Sequence, residues 1–166
     1  MTNATKKIVR AGLIAGLYVV LSLLTMPIAS GAIQFRLSEA LTILPLFFAE
    51  AIPALFVGCM LSNLITGCMA LDIILGSVIT LVASALTFLV GKLIKGSVLR
   101  ILLGGFFPVV LNAFFLPILW IIIYGAIEYV YLLQVLFLLI SQSISIYGVG
   151  TTLYLAIKKH QKNNSI

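Results

Sequence analysis

Long apolar runs alternate with short polar breaks along the chain, and this pattern predicts six helices. The runs cover residues 8–28, 38–50, 53–69, 71–92, 99–123 and 130–157. A helix that crosses the hydrocarbon core of a bilayer needs about 20 predominantly apolar residues. The first, fourth, fifth and sixth runs reach that length, whereas the second and third are shorter. We expect the two shorter runs to be tilted or partly re-entrant.

The composition indicates which solvent surrounds these helices. Hydrophobic residues make up 63% of the 166 residues and charged residues 8%. A soluble domain is typically about 45–50% apolar and about 25% charged, and a small domain has too little interior to bury the excess. We therefore predict an all-α integral membrane protein with one transmembrane domain, residues 1–166. The composition excludes a soluble enzyme, a disordered chain and a secreted disulfide scaffold.

The basic residues predict the orientation of the helices. Nine of the ten Lys and Arg residues fall into three clusters, at residues 6–10, 92–100 and 158–162. Because cytoplasmic segments collect Lys and Arg, six crossings place all three clusters and both termini in the cytoplasm. Five or seven crossings would place one cluster outside. Residues 158–166 are then a cytoplasmic tail, and the net charge of +6 gives no reason to predict a nucleic-acid partner.

The outer half of the predicted bundle holds most of the polar residues that could bind a ligand. Ionisable groups at membrane depth are costly, and by default they indicate function. The candidates are Gln34, Arg36, Glu39, Asn63, Asp72, Asn112, Trp120 and Glu128. Structural roles are the alternative, since Glu39 and Asp72 would each suit the first turn of a helix and Trp120 an interfacial aromatic belt.

Two helices carry small residues at a spacing of four. Ala11 and Ala15 have this spacing in the first run, which lets another helix approach closely. Gly76, Thr80 and Ser84 repeat it in the fourth run. This mildly polar ridge either packs against a neighbouring helix or lines a cavity.

The sequence contains none of the common catalytic motifs. It has no HExxH, GxSxG or P-loop pattern, and its two cysteines do not form a CxxC pair. We therefore predict that this chain is not an enzyme and that it holds no catalytic residue, metal or cofactor. Two other classes stay open: a small intramembrane enzyme that uses Glu39 and Arg36, and a structural membrane subunit without a ligand.

Residues 11–90 closely resemble the QueT-type substrate-binding (S) subunits of energy-coupling factor (ECF) transporters. The most specific parts are FRLSEAL at residues 35–41 and LDIILGS at residues 71–77, whereas the later runs are similar in length and hydropathy only. The resemblance implies a six-helix S-component bundle in a bacterial plasma membrane. Such subunits occur mostly in Gram-positive bacteria. The resemblance further implies that the chain captures a queuosine precursor from outside, a 7-deazaguanine such as preQ1, preQ0 or queuine. Another vitamin or heterocycle on the same scaffold is the alternative ligand.

The resemblance also implies partner proteins. S subunits of this type associate with a transmembrane coupling protein and with two ATPase subunits that use the ATP. Ala11 and Ala15 match the surface of the first helix that contacts the coupling protein in this family. The candidate residues suit a deazaguanine, because a carboxylate can accept two hydrogen bonds from its donor edge and an aromatic ring can stack on its face.

Overall fold

The computed structural model describes residues 2–29, 34–125 and 130–163, all of whose regular elements are helical. The elements are α1 (Asn3–Ala29), a 3-10 helix (Leu37–Leu46), α2 (Ala51–Ile65), α3 (Ala70–Leu93), α4 (Ser97–Tyr124), α5 (Tyr131–Ser143), a π-helical segment (Ile144–Gly150) and α6 (Thr151–Asn163). The last three follow one another directly and form one helix of 33 residues. The prediction of an all-α protein is confirmed for this part of the chain.

Four of the described helices are long and apolar enough to cross a membrane. They are Asn3–Ile28, Ala70–Leu93, Ser97–Tyr124 and Tyr131–Asn163. Their outer faces carry large apolar side chains, such as Leu24 at 70% exposure and Ile122 at 69%. An apolar surface of this kind requires lipid as its solvent. The chain is therefore a multi-pass membrane protein.

The second apolar run forms a buried 3-10 helix that is shorter than the hydrocarbon core of a bilayer. Its ten residues, at about 2.0 Å each, extend about 20 Å. The 15 residues of α2, at about 1.5 Å each, extend about 22 Å. Both lengths fall short of the hydrocarbon core of about 30 Å. Because every residue from Ser38 to Leu46 is buried, the 3-10 helix belongs to the protein core and does not face lipid.

Close packing holds the 3-10 helix inside the bundle. One apolar cluster joins it to α1 and α2 through residues such as Tyr18, Leu41 and Leu55. On the other side, Gly91 of α3 lies against its last residue, Leu46. A Cβ atom at position 91 would lie 2.7 Å from the Leu46 carbonyl oxygen and 2.8 Å from its Cα. Only a glycine therefore allows α3 to contact this backbone.

The first two basic clusters lie at the end of the bundle where the 3-10 helix terminates. The Arg10 guanidinium forms an ion pair with Glu50, with 2.8 Å between Nη1 and Oε1. Nη2 of Arg100 donates a hydrogen bond to the Leu46 carbonyl oxygen at 2.5 Å. Arg100 thus holds the last residue of the 3-10 helix, and Arg10 holds the segment that follows it.

The third basic cluster lies at the same end. Lys158 of α6 donates a hydrogen bond to Ser97, the first residue of α4. The three clusters therefore share one end of the bundle, although the cytoplasmic location of that end stays a prediction. The predicted tail begins within a helix, because α6 continues to Asn163. Residues 164–166 lie outside the described part of the chain.

Candidate ligand-binding site

A polar pocket lies between the 3-10 helix and the helices α2 to α5. The cavity lies away from the basic end, since Asp72 is in the first turn of α3 and Lys92 is in its last turn. Its lining consists of Arg36, Glu39, Cys59, Asn63, Asp72, Gly76, Thr80, Asn112, Leu116, Trp120 and Gln142.

Glu39 is the most extensively hydrogen-bonded carboxylate in the cavity. It is the third residue of the 3-10 helix and is 3% exposed. The Tyr18 hydroxyl donates to its Oε1 at 2.5 Å, and Nδ2 of Asn112 donates to its Oε2 at 3.0 Å. Asn112 Nδ2 also lies 3.4 Å from Oε1 of Gln142. Because a carboxylate offers about four acceptor positions, Glu39 keeps acceptor capacity for a ligand.

Three further polar residues line the cavity close to one another: Arg36, Asn63 of α2 and Asp72 of α3. Arg36 Nη1 donates to Asn63 Oδ1 at 3.5 Å, and Asp72 is buried, with 7% of its surface exposed. Both Asn63 and Asp72 lie beside Gly76. A Cβ atom there would lie 3.5 Å from Asn63 Nδ2 and 3.7 Å from Asp72 Oδ1. The absence of a side chain at Gly76 therefore keeps open the space between these two residues.

The charges in the lining do not cancel. Two carboxylates, Glu39 and Asp72, face one guanidinium, that of Arg36. A buried charge is unfavourable unless a partner or a hydrogen bond compensates it. The lining thus holds one carboxylate more than it has guanidinium groups.

The remaining walls are less polar. Leu116 and Trp120 of α4 form the apolar side, while Cys59 of α2 and Thr80 of α3 face the cavity from other helices. Thr80 donates its hydroxyl to the Cys59 sulfur at 3.4 Å. Trp120 is the only tryptophan of the sequence. The lining thus combines carboxylates, amides and one large aromatic ring, which suits a planar polar ligand.

A family model described as QueT transporter matches residues 8–159. The chain belongs to the QueT transporter family. The resemblance noted over residues 11–90 is confirmed, and the match extends through the later helices. Comparisons with curated proteins and with solved structures gave no match. The family and the four long apolar helices agree on a membrane transporter.

The structure brings together six of the eight residues predicted from the sequence of this QueT protein. Those in the cavity lining are Arg36, Glu39, Asn63, Asp72, Asn112 and Trp120. Gln34 lies just before the 3-10 helix, outside the lining, with a φ of 44°. Glu128 lies outside the described residues.

Other cavity residues were not among the predicted site residues. Cys59 is one of them, and its buried side chain lines the cavity. For Gly76 and Thr80 the sequence left packing and cavity lining open, and in the QueT structure both residues line the cavity. Gln142 also lines it, as a polar group in the long last helix. Tyr18 lies behind Glu39 and donates a hydrogen bond to it. The only sign of this role in the sequence is a phenol group within the apolar first run.

The predicted partner surface of this QueT protein lies against its own helices. Ala11 and Ala15 are half-buried and pack on the cluster that joins α1, the 3-10 helix and α2. Contact with a coupling protein stays a prediction for these two residues.

The described part of the QueT chain contains no group of three or more His, Cys, Asp or Glu side chains that could hold a metal ion. The lining residues of the cavity offer hydrogen bonding, charge pairing and aromatic stacking.

Proposed function

We propose that this QueT protein is the S subunit of an ECF importer and captures a queuosine precursor, a 7-deazaguanine, from outside the cell. The observation that carries the proposal is the pair of buried carboxylates, Glu39 and Asp72, in one cavity with two asparagines and Trp120. A 7-deazaguanine is planar, has adjacent donors at a ring N–H and an exocyclic amine, and has a ring carbonyl that accepts. Each of these features has a matching partner in the lining.

In this proposal Glu39 accepts the two donors of the deazaguanine ring. Its carboxylate is already fixed by Tyr18 and Asn112, so little freedom is lost when the ligand binds. Carboxylates bind adjacent N–H donors well, because two parallel hydrogen bonds form at once. Trp120 supplies the stacking surface for the ring, and Asn63 or Arg36 donates to the ring carbonyl.

Asp72 is assigned to the positive charge of the ligand. The aminomethyl precursor, preQ1, carries an ammonium group, whereas the cyano precursor, preQ0, is neutral. Since the lining has one carboxylate more than it has guanidinium groups, the ammonium would balance the charge. We therefore expect preQ1 to bind more tightly than preQ0.

Transport in this proposal depends on other subunits. A transmembrane coupling protein and two ATPase subunits supply the energy, and the QueT protein delivers its ligand to them in the plasma membrane of a bacterium, in our expectation a Gram-positive one. The orientation with both termini in the cytoplasm and six membrane passages belongs to the same proposal. A bulky replacement of Ala11 tests the partner contact at a distance from Tyr18: uptake should be lost while ligand binding by folded protein is kept. Ala15 is less suitable, because its backbone packs on α2 beside Tyr18.

Calorimetric titration of the purified protein in detergent tests the ligand assignment. The ligands are preQ1, preQ0, queuine and guanine, with riboflavin and biotin as other vitamins. Glu39→Gln should weaken binding of both preQ1 and preQ0, because it removes an acceptor of the ring edge. Asp72→Asn should weaken binding of preQ1 much more than that of preQ0, because the neutral precursor has no ammonium group to lose.

The same titration separates the rival functions. Tight binding of riboflavin or biotin, with none of any deazaguanine, would assign the scaffold to another heterocycle. Folded protein that binds none of these compounds would favour a structural subunit. Turnover of a lipid or peptide by the purified chain, lost in Glu39→Gln, would instead favour an intramembrane enzyme.

A further inference from the structure

A buried tyrosine of α1 reaches the cavity from behind. Tyr18 is fully buried, and its hydroxyl lies 2.5 Å from Oε1 of Glu39. The cavity lining comes from the 3-10 helix and the residue before it and from α2, α3, α4 and α5, and Tyr18 is not part of it. Tyr18 therefore contacts the site only through the residues that line it.

The Glu39 carboxylate is held from two sides. Tyr18 donates to one oxygen and Asn112 to the other, which fixes the rotation of the carboxylate about its own axis. A ligand that presents two adjacent donors needs this rotation to be correct for both hydrogen bonds. If either donor were removed, the carboxylate could rotate and only one of the two bonds would keep its geometry.

The position of Tyr18 is itself fixed by the packing of α1 on α2. A Cβ atom at Gly58 of α2 would lie 2.9 Å from the Tyr18 Cβ and 3.1 Å from the Ala15 carbonyl oxygen. The missing side chain at Gly58 thus forms the space in which Tyr18 lies. The hydroxyl of a tyrosine wedged in this way has a defined position, so it can orient the carboxylate.

We propose that Tyr18 is a positioning residue, which holds the Glu39 carboxylate in the rotation that binds the donor edge of the ligand. This inference rests on the proposed function of the cavity. It links α1 to the ligand: a shift of α1 relative to α2 moves the Tyr18 hydroxyl and loosens Glu39.

A double-mutant cycle on preQ1 affinity tests the inference. Tyr18→Phe removes only the hydroxyl and should weaken binding about 10- to 150-fold, because one of the two hydrogen bonds between the ligand and the Glu39 carboxylate then loses its geometry. In a Glu39→Gln background the same change should matter less than about threefold, because residues that act through one another are not additive. The control Tyr154→Phe removes a hydroxyl from another fully buried tyrosine, in the cluster that contains Val90 and Val109, and should leave affinity unchanged. Equal losses from Tyr18→Phe in both backgrounds would overturn the inference.

An infrared measurement on ligand-free protein separates this inference from the proposed function. The Glu39 carboxyl band is identified by its loss in Glu39→Gln. It should shift in Tyr18→Phe and stay in place in Tyr154→Phe, and an unshifted band in Tyr18→Phe would overturn the role of Tyr18. If Tyr18→Phe does not fold, 3-fluorotyrosine at position 18 nearly keeps the side-chain size and makes the hydroxyl a stronger donor, so the Glu39 band should shift in the direction opposite to that expected for Tyr18→Phe. A shifted band in a protein that binds no deazaguanine would support the hydrogen bond and overturn the ligand assignment.

Discussion

Nδ2 of Asn112 lies 3.0 Å from Oε2 of Glu39 and joins the middle of α4 to the 3-10 helix across 73 positions of sequence. Asn112 is 4% exposed, so its amide has to be satisfied by protein groups or a ligand. Through this contact α4 supports the Glu39 carboxylate. The contact also explains why a polar residue is present in the apolar interior of this helix.

Replacing Asn112 by alanine should weaken preQ1 binding. The change removes one of the two donors that orient Glu39, so one of the two hydrogen bonds between the ligand and this carboxylate should lose its geometry. A hydrogen bond to a charged group contributes about 1.5–3 kcal/mol, which corresponds to roughly 10- to 150-fold in affinity. Asn163→Ala, at the exposed end of α6, is the matched control and should bind as the unmodified protein does. Calorimetry gives both values, and an unchanged affinity in folded Asn112→Ala would remove this residue from the site.

Replacing Arg100 by methionine should destabilise the bundle. The guanidinium donates to the Leu46 carbonyl oxygen and lies over the Phe47 ring, 5.7 Å from its centre. Methionine keeps much of the apolar stem and loses the charged hydrogen bond, at a cost of about 1.5–3 kcal/mol. Lys95→Met, at an exposed position, should change stability little. The free energy of unfolding in mixed micelles measures the stability of both variants. If Arg100→Met were as stable as Lys95→Met, the contacts of Arg100 with Leu46 and Phe47 would contribute nothing to stability.

Replacing Gly91 by alanine should be more disruptive than replacing Gly12. At position 91 the added Cβ would lie within 3 Å of Leu46 backbone atoms, which cannot move without shifting the 3-10 helix. At position 12 nothing lies within 4 Å of an added Cβ. We expect Gly91→Ala to lose about 1–3 kcal/mol of stability and Gly12→Ala to lose none. Similar thermal unfolding of the two variants would contradict the packing of α3 on the buried helix.

The ion pair between Arg10 and Glu50 should contribute little. Its side chains are 41% and 14% exposed, and pairs accessible to solvent are typically worth less than about 1 kcal/mol. A double-mutant cycle with Arg10→Gln and Glu50→Gln measures the coupling, which should decrease further at high salt. A coupling well above 1 kcal/mol that does not respond to salt would show that this contact is effectively buried.

The helical pattern of the chain could be predicted because lipid imposes it. An apolar run long enough to cross the membrane has to satisfy its backbone within itself, so it becomes a helix. The 3-10 geometry of Leu37–Leu46 could not be predicted in this way. It depends on close contacts such as the one between Gly91 and the Leu46 backbone, and these contacts appear only when the helices are assembled.

The charged residues of the site and Asn112 could be predicted, whereas Tyr18 and Cys59 could not. Glu39 and Asp72 are conspicuous because a carboxylate in an apolar run is costly. Tyr18 and Cys59 are not conspicuous, since tyrosine and cysteine also occur as packing residues in membrane helices. Their roles depend on contacts between helices, such as the one between Tyr18 and Glu39. The spacing of residues along one helix does not predict such contacts.

The most direct test of the account is a titration of the purified protein with preQ1, followed by calorimetry and by the fluorescence of Trp120, the single tryptophan of the chain. Trp120 lines the cavity, so a ligand stacked there should change its emission. We expect one saturable site with submicromolar affinity, a fluorescence change with the same midpoint, and loss of both in Glu39→Gln. Heat of binding without any response of Trp120, or binding that Glu39→Gln leaves intact, would contradict the placement of the ligand in this cavity.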